Sequence, residues 1–174
     1  MKSSHLNPTH EEGPAAAPTS PSSGGGWGRG CYFTIAELTR SDTATKHGWD
    51  NTPPPEAVQN LRSLAEYVLD PLREAYGHPI HVNSGYRSAT LNSAVGGTAR
   101  SQHLRGQAAD IRGEAPLPSP QKGEAPYSQK REVEKLGQLL IDLDLPFDQL
   151  IFYPTFLHVS WSNSPRRQVL HKNS

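Results

Sequence analysis

The sequence has a single cysteine, Cys31, and no long apolar run among its 174 residues. One cysteine excludes an internal disulfide and any zinc site built from cysteine pairs. No segment approaches the length of a membrane span, and the N-terminal residues lack the apolar stretch of a secretory signal. We therefore expect a soluble protein without a recognisable export signal.

An excess of charge of one sign is also absent, because Lys and Arg number 17 and Asp and Glu also number 17. A neutral chain has no overall field that would attract nucleic acid or an anionic membrane surface, so neither partner is expected. Only the C-terminal end has an excess of basic residues, which are Arg166, Arg167 and Lys172. We interpret residues 164–174 as a basic tail.

The remaining chain predicts one domain. Residues 1–30 are rich in Pro, Ser, Gly and Ala and predict a disordered low-complexity tail. Residues 31–163 are enough for a single core, and we expect a monomer. Within them, residues 113–127 contain Gly-Glu-Ala-Pro twice in a proline-rich stretch, which predicts an exposed loop.

Hydrophobic periodicity predicts two amphipathic helices, over residues 56–76 and 129–143. Pro71 falls late in the first of them and predicts a kink or an end. Thr34, three residues before Glu37, is typical of a helix start. Strand-like segments cover residues 78–83, the surroundings of Asp110, and residues 147–152 and 157–161, the last two as a hairpin.

This order of elements predicts an α+β fold. A small antiparallel sheet would carry the helices on one face and leave the other face for a site. Alternation along Leu157-His158-Val159 places the histidine on the face opposite its apolar neighbours. Asp110 likewise opposes Ala109 and Ile111. If the two strands are neighbours, His158 and Asp110 therefore project from the same face.

His103 lies in the loop that enters the Asp110 strand and can complete a triangle with these two residues. Two imidazoles and one carboxylate leave a fourth tetrahedral position on zinc open for water. The three residues therefore predict a site for one zinc ion in a hydrolase. Each has a structural alternative: His103 could cap a loop, Asp110 could pair with a neighbouring arginine, and His158 could be an ordinary sheet histidine.

Three segments together resemble the D-Ala-D-Ala carboxypeptidase family of zinc peptidases, which shares its fold with the hedgehog signalling domain. They are Ser84-Gly85-Tyr86-Arg87-Ser88, then Ser101-x-His103-x-x-Gly106-x-Ala108-x-Asp110, and finally His158-Val159-Ser160. The likeness is strongest to the compact bacterial and prophage-type members, which include endolysins. It implies that His103, Asp110 and His158 bind the zinc ion. It also implies that Arg87 holds a substrate carboxylate, a role that a guanidinium fork suits, although Arg87 could equally be a surface charge.

Two further residues are candidates for substrate contact. Ser101 precedes the first histidine and could face the substrate or bond locally, and Tyr86 could line a cell-wall groove. The simplest interpretation of the Tyr86 ring is packing.

One expected group is missing. Water activated by a metal needs a proton acceptor, and members of the family place a Glu or His shortly before the last histidine. Here no Asp or Glu occurs between Gln149 and Ser174. Three substitutes are candidate catalytic residues: Asp148, Tyr153 and His81. Each also has a structural alternative: Asp148 could be an acid at a strand edge, Tyr153 an aromatic residue of a turn, and His81 an exposed histidine.

The sequence thus predicts a zinc-dependent peptidase that uses metal-activated water to hydrolyse a peptide bond next to a D-amino acid in peptidoglycan stem peptides. Cleavage could be of the carboxypeptidase or the endolysin type. Such an enzyme would reach the cell wall after export or lysis. The missing proton acceptor leaves a second hypothesis, a catalytically silent zinc module that binds cell wall or a protein partner.

Overall fold

A computed structural model describes residues 31–114 and 129–172. The predicted N-terminal tail and nearly all of the predicted loop at 113–127 therefore lie outside the described residues. Gly113 itself belongs to a strand rather than to that loop. No helix in the described ranges is long and apolar enough to cross a bilayer.

Six α-helices lie in the described ranges. The first two are short, and each begins at a residue whose hydroxyl accepts a backbone N–H, as predicted for Thr34, whose Oγ1 lies 3.1 Å from the Glu37 nitrogen. Side-chain capping of this kind satisfies backbone donors that have no partner within the helix. The helices are α1 (Ile35–Thr39), α2 (Asp42–His47), α3 (Pro55–Leu64), α4 (Asp70–Tyr76), α5 (Ala89–Ala94) and α6 (Gln129–Asp142).

Helices α3 and α4 are joined by a π-helical turn, Ala65–Leu69, into one long helical segment. The Asp70 N–H donates to the Ala65 carbonyl five residues earlier, directly before Pro71. The predicted end at Pro71 is therefore absent, and the alternative of a kink stays a prediction. The helix continues to Tyr76 and ends at Gly77, which has a φ of 76°. The widened turn directly precedes Pro71, which lies inside the segment and cannot donate a backbone hydrogen bond.

Five strands form one sheet in the order β1-β2-β4-β3-β5. Neighbours pair antiparallel except β3 and β5, which are parallel. The predicted α+β fold is confirmed, with a mixed rather than a purely antiparallel sheet. The strands are β1 (Ile80–Ser84), β2 (Ala108–Gly113), β3 (Phe147–Phe152), β4 (Leu157–Trp161) and β5 (Gln168–His171).

Strand β5 corrects the prediction that residues 164–174 are a tail. Gln168 pairs with Gln149, and Val169 with Leu150, along the outer edge of β3. Four residues with a mostly exposed surface give too short a pattern to distinguish from a loop. This segment forms a strand because it pairs with β3.

The core lies between the helices and one face of the sheet. In β4, Leu157 and Val159 are fully buried, whereas His158 between them remains partly exposed on the opposite face. The prediction that His158 lies on the face opposite its apolar neighbours in β4 is therefore correct. Fully buried residues from the helices complete the layer: Leu61, Leu64, Val68, Leu72, Leu136 and Leu140.

A glycine between the two predicted ligands fixes the approach of the loop to the helix layer. Gly106 has a φ of 68°, and a Cβ there would overlap with the carbonyl oxygen of Ala57 in α3. Both the left-handed backbone and the close approach favour glycine. Gly48 has a similar φ of 65° but no heavy atom within 4 Å of the position a Cβ would take.

We expect Gly106→Ala to lower the free energy of unfolding by about 3 kcal/mol, and Gly48→Ala by only about 1 kcal/mol. The difference isolates the steric cost, because both substitutions carry the same backbone strain. Urea denaturation of the two variants measures it. Equal losses for both would contradict the packing assigned to Gly106.

Candidate metal centre and cleft

The strand register brings two of the predicted ligands together. Asp110 of β2 pairs directly with His158 of β4. His103 reaches the same point from a single 3₁₀ turn, Gln102–Arg105, that enters β2 and ends at Gly106. The structure thus places His103, Asp110 and His158 in one cluster.

The three donor atoms form a nearly regular triangle. His103 Nε2 lies 3.3 Å from His158 Nδ1 and 3.3 Å from Asp110 Oδ1, and His158 Nδ1 lies 2.9 Å from Asp110 Oδ1. Bonds of about 2.0–2.1 Å to a tetrahedral zinc ion place neighbouring donors about 3.3 Å apart. The donor set and its spacing therefore fit one divalent ion of this type.

The orientation of His103 is set by the backbone. Its Nδ1 lies 2.6 Å from the Gly85 carbonyl oxygen, so the N–H on that nitrogen donates to the carbonyl and leaves Nε2 with its lone pair toward the cluster. Gly85 is required there because a Cβ would overlap with the Leu38 carbonyl oxygen of α1. The glycine in Ser84-Gly85-Tyr86 is therefore part of the support of the first ligand.

Burial and the surrounding charges keep His103 neutral and Asp110 ionised, which are the protonation states in which these side chains bind a metal ion. Burial lowers the pKa of His103, and the neighbouring Asp110 carboxylate offsets only part of that shift. Burial alone raises the pKa of Asp110, but the charges and hydrogen bonds of His103 and His158 together hold it well below its usual range. At neutral pH the imidazole of His103 is neutral and the carboxylate is ionised.

Arg87 lies beside the cluster, but its guanidinium is already engaged. Its Nη2 forms an ion pair with Asp110 Oδ2, and its Nε donates to Ser84 Oγ at 2.8 Å. The side chain is only 15% exposed. Arg87 also lines the cleft, and its predicted role as the holder of a substrate carboxylate stays a prediction. Its ion pair orients the oxygen of Asp110 that faces away from the two histidines.

The cluster lies in a cleft of about 840 Å³. Four other predicted site residues line this cleft with the three cluster residues: Arg87, Ser101, Asp148 and Tyr153. The Tyr153 ring stacks on Phe156, with centroids 4.3 Å apart. The remaining predicted residues are His81 and Tyr86, and the structure places each of them differently.

Asp148 lines the cleft but is not available as a proton acceptor. Arg166 donates to both of its carboxylate oxygens, with Nη2 2.6 Å from Oδ2, and the Gln102 amide donates at 2.9 Å. These hydrogen bonds, those from Arg166 first, lower the pKa of Asp148 to about 2. A carboxylate this acidic and this fully bonded is a poor base at neutral pH.

His81 and Tyr86 do not line the cleft. His81 pairs with Arg112 toward the far end of β1, beyond the Ser84–Asp110 pair. Tyr86 is 7% exposed and packs in the hydrophobic core. The candidate roles of His81 in proton transfer and of Tyr86 in substrate contact are therefore not supported by their positions. Side-chain alternation could not fix which end of the sheet His81 would occupy.

The profile of the peptidase M15 family matches residues 31–138. The chain belongs to the peptidase M15 family. The match includes His103 and Asp110 and ends before β3, so the position of His158 rests on the geometry alone. A curated relative, "Zinc D-Ala-D-Ala carboxypeptidase" of Streptomyces albus G, is 40% identical over 81 residues. That alignment covers 45% of this chain and 30% of the relative.

Several polar residues of the M15 cleft were missed in the sequence. Gln102, Arg100 and Arg105 line it from the loop around the first ligand, and Lys172 from the end of β5. Gln102, Arg100 and Arg105 could have been found in the sequence, because they lie within three residues of His103. Lys172 carried no such signal, because it reaches the cleft only through the pairing of β5 with β3.

We expect zinc to bind the M15 chain with one-to-one stoichiometry and to dissociate on acidification. Ligating imidazoles must be neutral, and since burial lowers the pKa of His103, protons displace the metal from it only below the usual titration range of a histidine. Metal analysis after dialysis at pH 4 to 8 measures the occupancy. His81→Ala, outside the cleft, should keep the metal, whereas Asp110→Asn should lose most of it. Full occupancy at pH 4 would contradict the ligand set.

Proposed function

We propose that this M15 chain is a zinc peptidase that releases a terminal D-amino acid from peptidoglycan stem peptides. The observation that carries the proposal is the convergence of His103, Asp110 and His158 on one point of a large polar cleft. The name of the Streptomyces albus G relative supports both the metal and the substrate.

Each residue of the site has a separate task in this proposal. The two histidines and the aspartate hold zinc, which supplies Lewis-acid chemistry that polarises a peptide carbonyl and acidifies water. Arg87 fixes the Asp110 carboxylate, and the Gly85 carbonyl fixes His103. The Tyr153 hydroxyl donates a hydrogen bond to the carbonyl oxygen as negative charge develops on it, and Ser101 contacts the peptide backbone.

The charge of the cleft supports an acidic substrate. Its two acids, Asp110 and Asp148, are each paired with an arginine. Within residues 31–114 and 129–172, no carboxylate forms an ion pair with Arg100 or Lys172, and both side chains are exposed. A positive cleft in a neutral chain favours peptides that carry free carboxylates, as stem peptides with an unblocked C-terminus do. The excess of positive charge in the cleft therefore favours the carboxypeptidase mode over the endolysin type.

A second candidate is a zinc module that binds peptidoglycan without cleaving it. The observation that favours it is the state of the acids in the described part of the cleft, where both carboxylates are paired and neither can accept a proton readily. Hydrolysis then depends on the metal and the Tyr153 hydroxyl without help from a carboxylate. Turnover, measured on protein of known zinc content, separates the two candidates.

We expect release of D-Ala from a stem pentapeptide to require stoichiometric zinc. Release should stop with a chelator, return when zinc is restored, and fall by at least about a hundredfold in His103→Ala, because the Lewis acid is lost with its ligand. His81→Ala is the matched control and should retain activity.

Three other outcomes decide against the first candidate. Tight zinc binding with no cleavage of free or cross-linked stem peptides would support the binding module. Cleavage only of cross-linked peptides would support the endolysin type. Release that persists with zinc removed would contradict both metal-dependent proposals.

We expect the double substitution Arg100→Gln and Lys172→Gln to raise KM for the pentapeptide about three- to tenfold, with little change in kcat. Exposed charge pairs contribute modestly, and salt screens them, so the difference should shrink at high ionic strength. Lys130→Gln with Arg131→Gln removes two exposed charges from α6, outside the cleft, and serves as the control. An equal KM for both double variants would contradict a cationic substrate subsite.

A further inference from the structure

Asp148 occupies an irregular position in β3. Phe147 pairs with Trp161 and Gln149 pairs with Ser160, so Asp148 is an extra residue between two successive pairs. The Gln149 N–H donates to Ser160 Oγ at 3.1 Å beside this bulge. A bulge re-aims the side chain that it carries. Here it turns a carboxylate that is only 2% exposed toward the cleft.

This buried carboxylate joins two segments that are otherwise far apart in the chain. From one side, Gln102 Nε2 donates to Oδ2 at 2.9 Å. From the other, the backbone N–H of Arg166 donates to Oδ1 at 2.8 Å, and its guanidinium donates to both oxygens. Hydrogen bonds to a buried charge are among the stronger polar contacts in proteins.

The Gln102 contact leads directly to the metal cluster. Gln102 is the first residue of the 3₁₀ turn that carries His103, and its carbonyl accepts the N–H of Gln107 at 3.0 Å, which closes the turn. The Gln107 carbonyl in turn accepts the N–H of Trp161 at 2.9 Å at the end of β4. The turn is therefore attached to the sheet at its closing end by backbone bonds and at its first residue by Asp148.

The Arg166 contact leads to a second part of the wall of the cleft. Ser162, Ser164 and Arg166 line the cleft from the segment between β4 and β5, and Leu170 lines it from β5 itself. Arg166 is the residue of this segment whose backbone and side chain both bond to Asp148. The position of the wall thus depends on the same carboxylate as the position of the turn.

We infer that Asp148 is a positioning residue: one buried carboxylate holds the turn that carries His103 and the wall formed by residues 162–166 in fixed positions in the cleft. Its effect on metal binding is independent of the proposed function. Its effect on substrate binding rests on that function.

A neighbouring ion pair offers a matched control. Arg167 Nη2 lies 2.7 Å from Asp144 Oδ1 and connects the residue after Arg166 to the segment before β3, but the Asp144 side chain is 88% exposed. Neither residue lines the cleft. Asp144→Asn therefore removes a pair of similar length and connectivity without touching the turn or the wall. Asn also tolerates the positive φ of 52° at this position.

Gln102→Ala and Arg166→Gln test the two contacts separately, and Asp148→Asn tests both together. We expect Gln102→Ala and Asp148→Asn to weaken zinc affinity about tenfold in a competition titration with a chromophoric chelator, as loss of an outer partner of a ligand does. We expect Arg166→Gln to speed amide hydrogen exchange in β5 and to raise KM, with kcat per bound zinc unchanged. Asp144→Asn should leave all four quantities at the wild-type values.

The readouts separate positioning from general destabilisation. Loss of folded protein would lower the zinc stoichiometry and kcat together, whereas misplacement changes affinity and KM at full stoichiometry. If Asp148→Asn does not fold, the two single-contact variants carry the test. Wild-type zinc affinity in Gln102→Ala, together with wild-type β5 exchange and KM in Arg166→Gln, would overturn the inference. Should no variant show hydrolysis, the affinity and exchange results still decide it.

Discussion

The structure of the site depends on one buried anion, the Asp110 carboxylate. A buried charge is costly unless it is paired and hydrogen-bonded. Asp110 is 8% exposed, and it is surrounded by Arg87 on one oxygen and by two imidazoles on the other. The segment after β1, the 3₁₀ turn and β4 each supply one of these partners. The need to compensate this one charge explains why these three parts of the chain converge there.

A second buried acid repeats the same physical solution at the other end of the cleft. Asp148 is also nearly inaccessible and is also compensated by an arginine from a segment distant in the chain. The two carboxylates differ in whether one of their oxygens remains available to a cation. One oxygen of Asp110 faces two ring nitrogens, a geometry that accommodates a cation, whereas both oxygens of Asp148 are covered by N–H donors. The first arrangement suits metal binding and the second suits support.

The sequence predicted the parts of this arrangement that depend on local parity. Alternation along β2 and β4 placed Asp110 and His158 on one face once the two strands are neighbours, and the order of residues placed His103 in the loop that enters β2. It could not predict that Arg87 would bond to Asp110, because that contact depends on the return of the chain after β1. Nor could it predict β5, whose short polar pattern becomes a strand only beside β3. The pairing of Asp148 with Arg166 was hidden for the same reason.

The separation of the three cluster residues along the chain links metal binding to folding. His103 and Asp110 are near neighbours, but His158 follows Asp110 by 48 residues. A cation shared by all three acts as a reversible cross-link that closes this long loop, and closing a long loop restricts the unfolded chain more than closing a short one. The ion would then contribute to the cohesion of the sheet as well as to the chemistry in the cleft, and its capture would report that β2 and β4 have docked.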